Sequence, residues 1–314
     1  MTDTFAREIT YARISLTGCC NLRCRYCMPR GGVPQPHDCL SDDEVLALVR
    51  GLAAAGVRKV RFTGGEATVR PDMLRLLAHV CRTPGIEIWA LTTNALTLGR
   101  DAVHLRDAGI QRVNISLDTL DAQAYRTLTG GDLAAALAGL EAALAAGFAR
   151  VKLNAVLIRG VSEVQIPRLA ALTRQHPLDV RFIELMPAGP CRDWAEAHFL
   201  SASAVPAALP GLLPDAPESH APATYYRLPG APGRIGLITP MSCDFCADCN
   251  RIRITADGKL RPCLHSDLEI DLRPVLNDPA ALRARILEGV HRKPARHHLR
   301  EGRFIAGSMT QIGG

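Results

Sequence analysis

Thr10-Tyr11-Ala12-Arg13-Ile14-Ser15-Leu16-Thr17-Gly18-Cys19-Cys20-Asn21-Leu22-Arg23-Cys24-Arg25-Tyr26-Cys27 decides the fold. Its first half, Thr10–Leu16, is apolar and β-branched, the pattern of a buried strand. Its second half places Cys20, Cys24 and Cys27 in a loop just past that strand. Three thiolates so close can hold one soft metal centre. A [4Fe–4S] cluster held by three cysteines leaves one iron open to another ligand. A structural zinc ion prefers a fourth protein ligand. Cys19 and Cys39 are near enough to offer one, so zinc stays as the alternative at this point.

The same strand-then-helix rhythm continues along the chain. Further strands are expected at Val57–Phe62, Ile86–Thr92, Ile110–Leu117, Arg150–Ile158 and Leu178–Leu185. Ser41-Asp42-Asp43-Glu44 is a capping box, opening a helix that ends near Gly56. Pro71 suits a first helical position and predicts a helix over Pro71–Arg82. Leu133–Ala146 is rich in Ala and Leu, a strong helix former. Six β/α units predict an α/β fold with a parallel sheet, either open and doubly wound or an incomplete barrel. In both, function belongs at the C-terminal ends of the strands.

The rhythm breaks at Ser201–Gly233, which holds seven of the 21 prolines and reads as an irregular connection. Beyond it, Arg251–Thr255 and Lys259–Leu264 flank Asp257-Gly258, a hairpin turn signal, and Asp278–Arg292 reads as a surface helix. The expected division is therefore 1–200, 201–233 and 234–314.

Composition narrows the function. The chain has 314 residues, 47% of them hydrophobic, enough for a substantial core. Net charge is +6, which favours anionic ligands, and 4% aromatic content offers few platforms for stacking nucleic-acid bases. No secretory leader or membrane helix is expected, so the 11 cysteines read as metal or redox chemistry in a reducing cytoplasm.

Cys246, Cys249 and Cys263 form a second set, with the hairpin filling the long gap. A hairpin brings its ends together, so Cys249 and Cys263 can meet at one site. Zinc with Cys243 or His265 as a further ligand is the alternative to an iron–sulfur cluster. Arg251 and Arg253 share one face of the expected strand, because side chains alternate. Two guanidiniums beside a metal centre make a clamp for phosphate oxygens. Lys152, inside the apolar run Val151–Val156, should face a polar cavity or carry a partner. Thr63-Gly64-Gly65-Glu66 follows the second strand, and its glycines permit close backbone approach.

Cys20-x3-Cys24-x-Tyr26-Cys27 resembles the signature of radical S-adenosylmethionine (SAM) enzymes. Together with the second cysteine set, Asn250-Arg251-Ile252-Arg253 and the terminal Gln311-Ile312-Gly313-Gly314, the chain resembles the GTP 3′,8-cyclase family from about Arg13 onward. The resemblance implies an incomplete (β/α)6 TIM-like barrel with a C-terminal α+β extension covering its open side. It implies two [4Fe–4S] clusters, on Cys20, Cys24 and Cys27 and on Cys246, Cys249 and Cys263. SAM would meet Tyr26, Gly65, Ser116 and Met186, with Gly64 and Glu66 as weaker contacts. GTP would meet Arg13, Arg61, Thr92, Lys152, Arg251, Ile252 and Arg253, with Gly313 and Gly314 reaching the same site. The implied reaction is a SAM-dependent radical cyclisation of GTP to 3′,8-cyclo-7,8-dihydro-GTP, the first step of molybdenum cofactor biosynthesis. Implied partners are a one-electron donor, a second copy of the chain, and cyclic pyranopterin monophosphate synthase downstream.

The chain departs from the family pattern at Gly18-Cys19, at Asn94-Ala95, where Asn-Gly is common, and at Ala67, where proline is common. Cys19, Cys39, Cys81, Cys191 and Cys243 receive no role, Cys81 reading as helix packing. A peptide-modifying radical SAM maturase and a zinc module are the competing readings. The terminal Gly-Gly and the paired arginines argue against the first, and the long β/α series against the second.

Overall fold

The computed structural model describes residues 1–28, 38–243 and 245–312. All six expected strands are present within two residues of their expected ends: β1 (Tyr11–Ser15), β2 (Lys59–Thr63), β3 (Ile88–Thr93), β4 (Arg112–Ser116), β5 (Arg150–Leu157) and β6 (Asp179–Glu184). Between them run α1 (Asp42–Ala54), α2 (Met73–Val80), α3 (Leu98–Asp107), α4 (Ala122–Thr129), α5 (Leu133–Ala145) and α6 (Ser162–Gln175). The capping box forms as expected: Glu44 N–H donates to Ser41 Oγ at 3.2 Å, and Ser41 N–H donates to Glu44 Oε2 at 2.8 Å. Burial of Val45, Leu48, Val49 and Leu52 then holds α1 on the sheet, each side chain contributing about 1.5–3 kcal/mol.

Two expectations need correction. The helix after Pro71 starts at Met73, because Asp72 takes a left-handed conformation (φ 55°) and delays the first turn. The proline-rich connection is partly ordered. After α7 (Arg192–Ala197) come α8 (Ala204–Ala208), β7 (Leu213–Pro214) and β8 (Thr224–Arg227). β8 pairs antiparallel with β9 (Arg234–Ile238), a strand the sequence reading did not find.

The expected hairpin is β10 (Arg251–Ile254) and β11 (Lys259–Arg261), followed by β12 (Ile270–Asp271) and α9 (Pro279–His291). At its turn Gly258 has φ +90° and Thr255 N–H donates to Lys259 C=O at 2.9 Å. Helix α9 is the expected surface helix, with one face packed inward. It buries Leu282, Ile286 and Val290, and Leu282 lies against Gly51 of α1, where any Cβ would collide.

One continuous sheet results, in the order β12-β11-β10-β1-β2-β3-β4-β5-β6-β9-β8-β7. The eight strands from β10 to β9 are all parallel to their neighbours. The C-terminal extension therefore does more than cover an open side. It adds β10 to one edge of the six-stranded core and β9 to the other. The sheet is not closed, as β9 and β10 do not pair.

Alternation along the strands sorts the side chains. In β5, Val151, Leu153, Ala155 and Leu157 are buried in the apolar core, whereas Lys152, Asn154 and Val156 face the concave side. A barrel interior is ordinarily filled by layers of branched apolar side chains. Here polar and charged residues replace them, and the interior stays open.

Candidate active site

The concave side encloses a cavity of about 570 Å³. Its wall includes all six cysteines of the two sets, Cys20, Cys24 and Cys27 from the loop after β1 and Cys246, Cys249 and Cys263 from the C-terminal part. Tyr26, Gly64, Gly65, Glu66, Ser116, Met186, Arg13, Arg61, Thr92, Lys152, Arg251 and Arg253 line it too. Ile252 is the exception among the expected site residues. It is fully buried in the apolar core, because alternation turns it away from the face shared by Arg251 and Arg253. Gly313 and Gly314 lie outside the described residues.

The first triad is braced by neighbouring loops. Gly65 N–H donates to Thr17 C=O and Glu66 N–H to Cys19 C=O, both at 2.8 Å. A Cβ on Gly64 would sit 2.6 Å from Thr17 O, so glycine there is needed for the two loops to touch. Buried Glu66 accepts from Thr68 Oγ1 at 2.8 Å and from the Asn94 amide at 2.6 Å, tying β2 to β3. Asn94 Nδ2 donates to Asn21 Oδ1 at 2.7 Å, within the cysteine loop itself. Tyr26 Oη donates to Asp118 Oδ2 at 2.7 Å, and the Val156 amide donates to the other oxygen at 2.8 Å. Burial lifts the Asp118 carboxyl to about 6 despite both bonds. Burial and the Cys20 and Cys191 thiols push Cys27 up to about 12, and burial with Cys27 and Asp118 raises Cys24 well above its usual range. The three sulfurs thus share one low-dielectric space.

The second triad sits in the opposite field. Burial alone would raise Cys249, but Arg251 and Lys293 overcome it and bring the thiol down to about 6. The arginines come together through sheet register: Arg253 pairs with Arg13, and Arg13 with Arg61. Arg61 is held by Leu91 C=O at 2.8 Å and Tyr11 Oη at 2.7 Å. Burial raises Tyr11, yet Arg61, Arg13 and Lys59 outweigh it and bring the phenol to about 7. Burial and the neighbouring Arg13 and Arg251 press Arg253 far below the ordinary guanidinium range.

Residues missed in the sequence extend this cationic wall. Arg181 on β6 is buried, and its Nε finds no hydrogen-bond partner among the described residues. Lys59, Arg112 and Lys293 also line the cavity. Lys152 is reached by Tyr225 Oη at 2.8 Å and by Glu218 and Asp179, both at 3.3 Å. Burial, then Arg181, lower Lys152 to about 7 even so. Glu218 comes from the proline-rich connection, which therefore forms part of the wall. The signal for Arg181 was available: it stands at an alternating position of a predicted strand, like Lys152.

The donor chemistry fits iron–sulfur clusters. Each set offers three soft thiols on the cavity wall, the donors such a cluster takes. The paired Leu22 N–H···Sγ Cys20 and His265 N–H···Sγ Cys263 contacts, both 3.4 Å, stabilise charge on sulfur in each set.

Residues 14–173 match the Radical SAM superfamily, and residues 178–299 match Molybdenum Cofactor Synthesis C. A GTP 3′,8-cyclase of Alkaliphilus metalliredigens is 47% identical over 320 residues, with 100% of both chains covered. One from Pelotomaculum thermopropionicum is 48% identical over 325 residues, again with 100% of both chains covered. The chain belongs to the GTP 3′,8-cyclase family. Its fold is shared more widely: the crystal structure of Streptococcus suis SuiB bound to precursor peptide SuiA aligns with a TM-score of 0.61 at 16% identity, over 98% of this chain and 77% of that one. SuiB bound to S-adenosylmethionine aligns with a TM-score of 0.58 at 17% identity, over 89% and 68% of the two chains.

The places where this family member departs from the pattern now have surroundings. Ala95 has φ +69°, a left-handed conformation that favours glycine. Cys19 and Cys243 are exposed, and neither lines the cavity. Cys191 is buried and close enough to Cys27 to raise its thiol. Cys81 caps the end of α2 and packs on the core, as expected of a structural thiol. Among the described residues no single helix is long and apolar enough to cross a membrane.

Proposed function

We propose that this chain cyclises GTP to 3′,8-cyclo-7,8-dihydro-GTP, joining ribose C3′ to guanine C8, as the first step of molybdenum cofactor biosynthesis. One observation supports the reading most: two three-cysteine sets face a single cavity whose wall carries nine Lys and Arg side chains against four Asp and Glu. A nucleoside triphosphate fits that imbalance. Cys20, Cys24 and Cys27 would hold the cluster that binds SAM, with Tyr26, Gly65, Ser116 and Met186 around SAM and Gly64 and Glu66 behind it. Bound there, SAM and its cluster would supply hydrogen-atom abstraction at an unactivated C–H bond.

The chain's own task is placement. Arg13, Arg61, Arg251 and Arg253 would take the triphosphate, with Lys152 and Thr92 beside them. Cys246, Cys249 and Cys263 would hold a second cluster next to the base. Fixing the two ends of GTP keeps C3′ and C8 within reach of each other and of SAM, which removes most of the entropic barrier. Walls drawn from residues 1–200, 201–233 and 234–314 surround the space and would limit the access of water to a reactive radical. We further propose a one-electron donor, a second copy of the chain as partner, and cyclic pyranopterin monophosphate synthase as the consumer of the product.

The test is anaerobic reconstitution followed by incubation with dithionite, SAM and GTP. The expected result is 5′-deoxyadenosine and a GTP isomer by mass spectrometry, each dependent on the other substrate. Deoxyadenosine without the isomer would move the substrate elsewhere.

A further inference from the structure

The turn ahead of β1 is tied to the C-terminal part by one buried arginine. Asp3 and Arg7 are 6% and 7% exposed, and Arg7 Nε donates to Asp3 Oδ2 at 2.6 Å. Asp3 Oδ1 accepts from the Phe5 and Arg7 amides, both at 2.9 Å, so the carboxylate is filled from within its own turn. Ala6, at φ +60°, completes that turn, and Thr2 and Glu8 bridge across it. The rest of the Arg7 guanidinium reaches out of the turn. Its Nη1 donates to Cys246 C=O and to Ala295 C=O, both at 2.9 Å, and its Nη2 donates to Pro294 C=O at 2.7 Å. A buried cation is kept only where it is paired and hydrogen-bonded, and Arg7 is both. Lys293, adjacent to Pro294 and 3% exposed, repeats the device: its Nζ donates to Arg251 C=O at 2.8 Å and to Pro262 C=O at 2.7 Å. Arg251 lies just past Cys249, and Pro262 immediately precedes Cys263. The two cations and the segment Lys293–Ala295 thus hold the backbone at or beside all three cysteines of the second set.

We propose that Arg7 is a positioning residue for the second cysteine set, with Asp3 as its buried counterion: its guanidinium clips the Cys246 turn to Pro294 and Ala295 and so holds the Cys246 thiol where a cluster can use it. This rests on the reading that Cys246, Cys249 and Cys263 hold a cluster. Cys246–Asp248 is a single 3-10 turn, a short element with poor hydrogen-bond geometry of its own. Its closing bond, from Cys249 N–H to Cys246 C=O, is 3.2 Å long. The clip on the same carbonyl supplies the support that the turn lacks. Arginine suits the task because its planar fork meets a carboxylate on one edge and carbonyls on the others, whereas an ammonium is a point charge. The first set is braced by other contacts, from the Gly65 and Glu66 amides to the loop ahead of Cys20. Loss of Arg7 should therefore loosen the second set alone.

The test uses the full-length chain, reconstituted anaerobically in two backgrounds. In Cys20→Ala/Cys24→Ala/Cys27→Ala a cluster can sit only on the second set, and in Cys246→Ala/Cys249→Ala/Cys263→Ala only on the first. The rate of iron release to a chelator is read by absorbance. Arg7→Met should speed release from the second set about tenfold, the scale of one lost charge-assisted hydrogen bond, and leave release from the first set unchanged. Arg7→Met also strands the Asp3 carboxylate, which lowers stability by itself. Asp3→Asn/Arg7→Met strands no charge, so it should regain stability in chemical denaturation while release from the second set stays fast. Arg7→Lys keeps the charge without the fork and should fall between Arg7→Met and the unaltered residue. Hydrogen exchange of the metal-free chain gives a readout without iron: the Cys249 amide should exchange faster in Arg7→Met than in unaltered chain. Unchanged release from the second set, equal acceleration from both sets, slow release restored in Asp3→Asn/Arg7→Met, or an unchanged Cys249 amide would overturn the proposal with the cluster reading intact. Failure of the second set to take up any iron–sulfur cluster with Arg7 in place would overturn both.

Discussion

The two cysteine triads share one cavity but stand in opposite electrostatic surroundings. The first is packed among its own thiols and near Asp118, and burial holds Cys27 up to about 12. The second lies beside Arg251 and Lys293, which hold Cys249 down to about 6. The same residue type on two loops is therefore pushed in opposite directions, up by burial and neighbouring thiols at Cys27 and down by Arg251 and Lys293 at Cys249. The lesson is one of division of labour. At the first site Arg23 sits against the Cys20 backbone at 2.6 Å and lowers that thiol, yet burial still outweighs it. The second is embedded in fixed positive charge, which suits an anionic substrate placed next to it.

The largest effect should come from removing that charge. Arg251→Ala/Arg253→Ala is expected to lose about 1000-fold in GTP affinity by equilibrium dialysis, two charge-assisted contacts at about 1.5–3 kcal/mol each. Iron content should stay at the wild-type level. Unchanged affinity would break the contrast between the triads.

Metal-free protein sharpens the contrast directly. At pH 7 Cys249 is mostly thiolate and Cys27 almost wholly thiol. Allowing for the lower nucleophilicity of a low-pKa thiolate, Cys249 should be alkylated about 100-fold faster under anaerobic conditions. Its rate should fall as pH drops through 6, whereas that of Cys27 should climb up to pH 12. Site-resolved mass spectrometry checks both arms, and equal rates would remove the electrostatic distinction.

A smaller effect should appear at the far end of the cationic wall. Lys152 titrates at about 7 in the free protein. A bound triphosphate favours its charged form, so binding above pH 7 should take up as much as one proton. Affinity should then weaken as pH rises through 7 and beyond, by at most about tenfold per pH unit. Calorimetry in buffers of different ionisation enthalpy measures the uptake, and Lys152→Met should lower it, leaving the share taken up by Tyr11, whose phenol is also held at about 7.

The smallest effect lies behind the first triad, where the Asn94-Ala95 turn braces the cysteine loop through Asn21. A left-handed alanine costs about 1–2 kcal/mol, and losing its buried methyl costs about 0.8 kcal/mol. Ala95→Gly should therefore stabilise the protein by roughly 0.5 kcal/mol in chemical denaturation. A loss of stability would show that packing against Gly139 outweighs the backbone strain.

Much of this was legible in the sequence, for identifiable reasons. Strands β1 to β6 announced themselves because each is a short apolar run between helical stretches. The triads were legible because cysteine spacing is local, and Arg251 with Arg253 because alternation is strict. What could not be read was register between distant segments. Nothing local says that Arg253 lies beside Arg13, and that pairing creates the crowded guanidinium wall. β9 was hidden as a short run just past a proline-rich tract. Asp118, Tyr11 and Glu218 look ordinary in sequence, and only the concave packing brings them to the cavity.

The placement of β9 and β10 bears on how the chain is made. As it leaves the ribosome, the six-stranded core emerges first, with an unpaired edge at β1 and another at β6. Such edges are templates for wrong pairing. The strands that cover them arrive only at residues 234–238 and 251–254. The β1 edge of the growing polypeptide is thus exposed for much of its synthesis, and the β6 edge from residue 184 until residues 234–238 follow, a hazard typical of parallel sheets completed late. Severing it within the proline-rich tract would yield two sticky fragments rather than two independent modules.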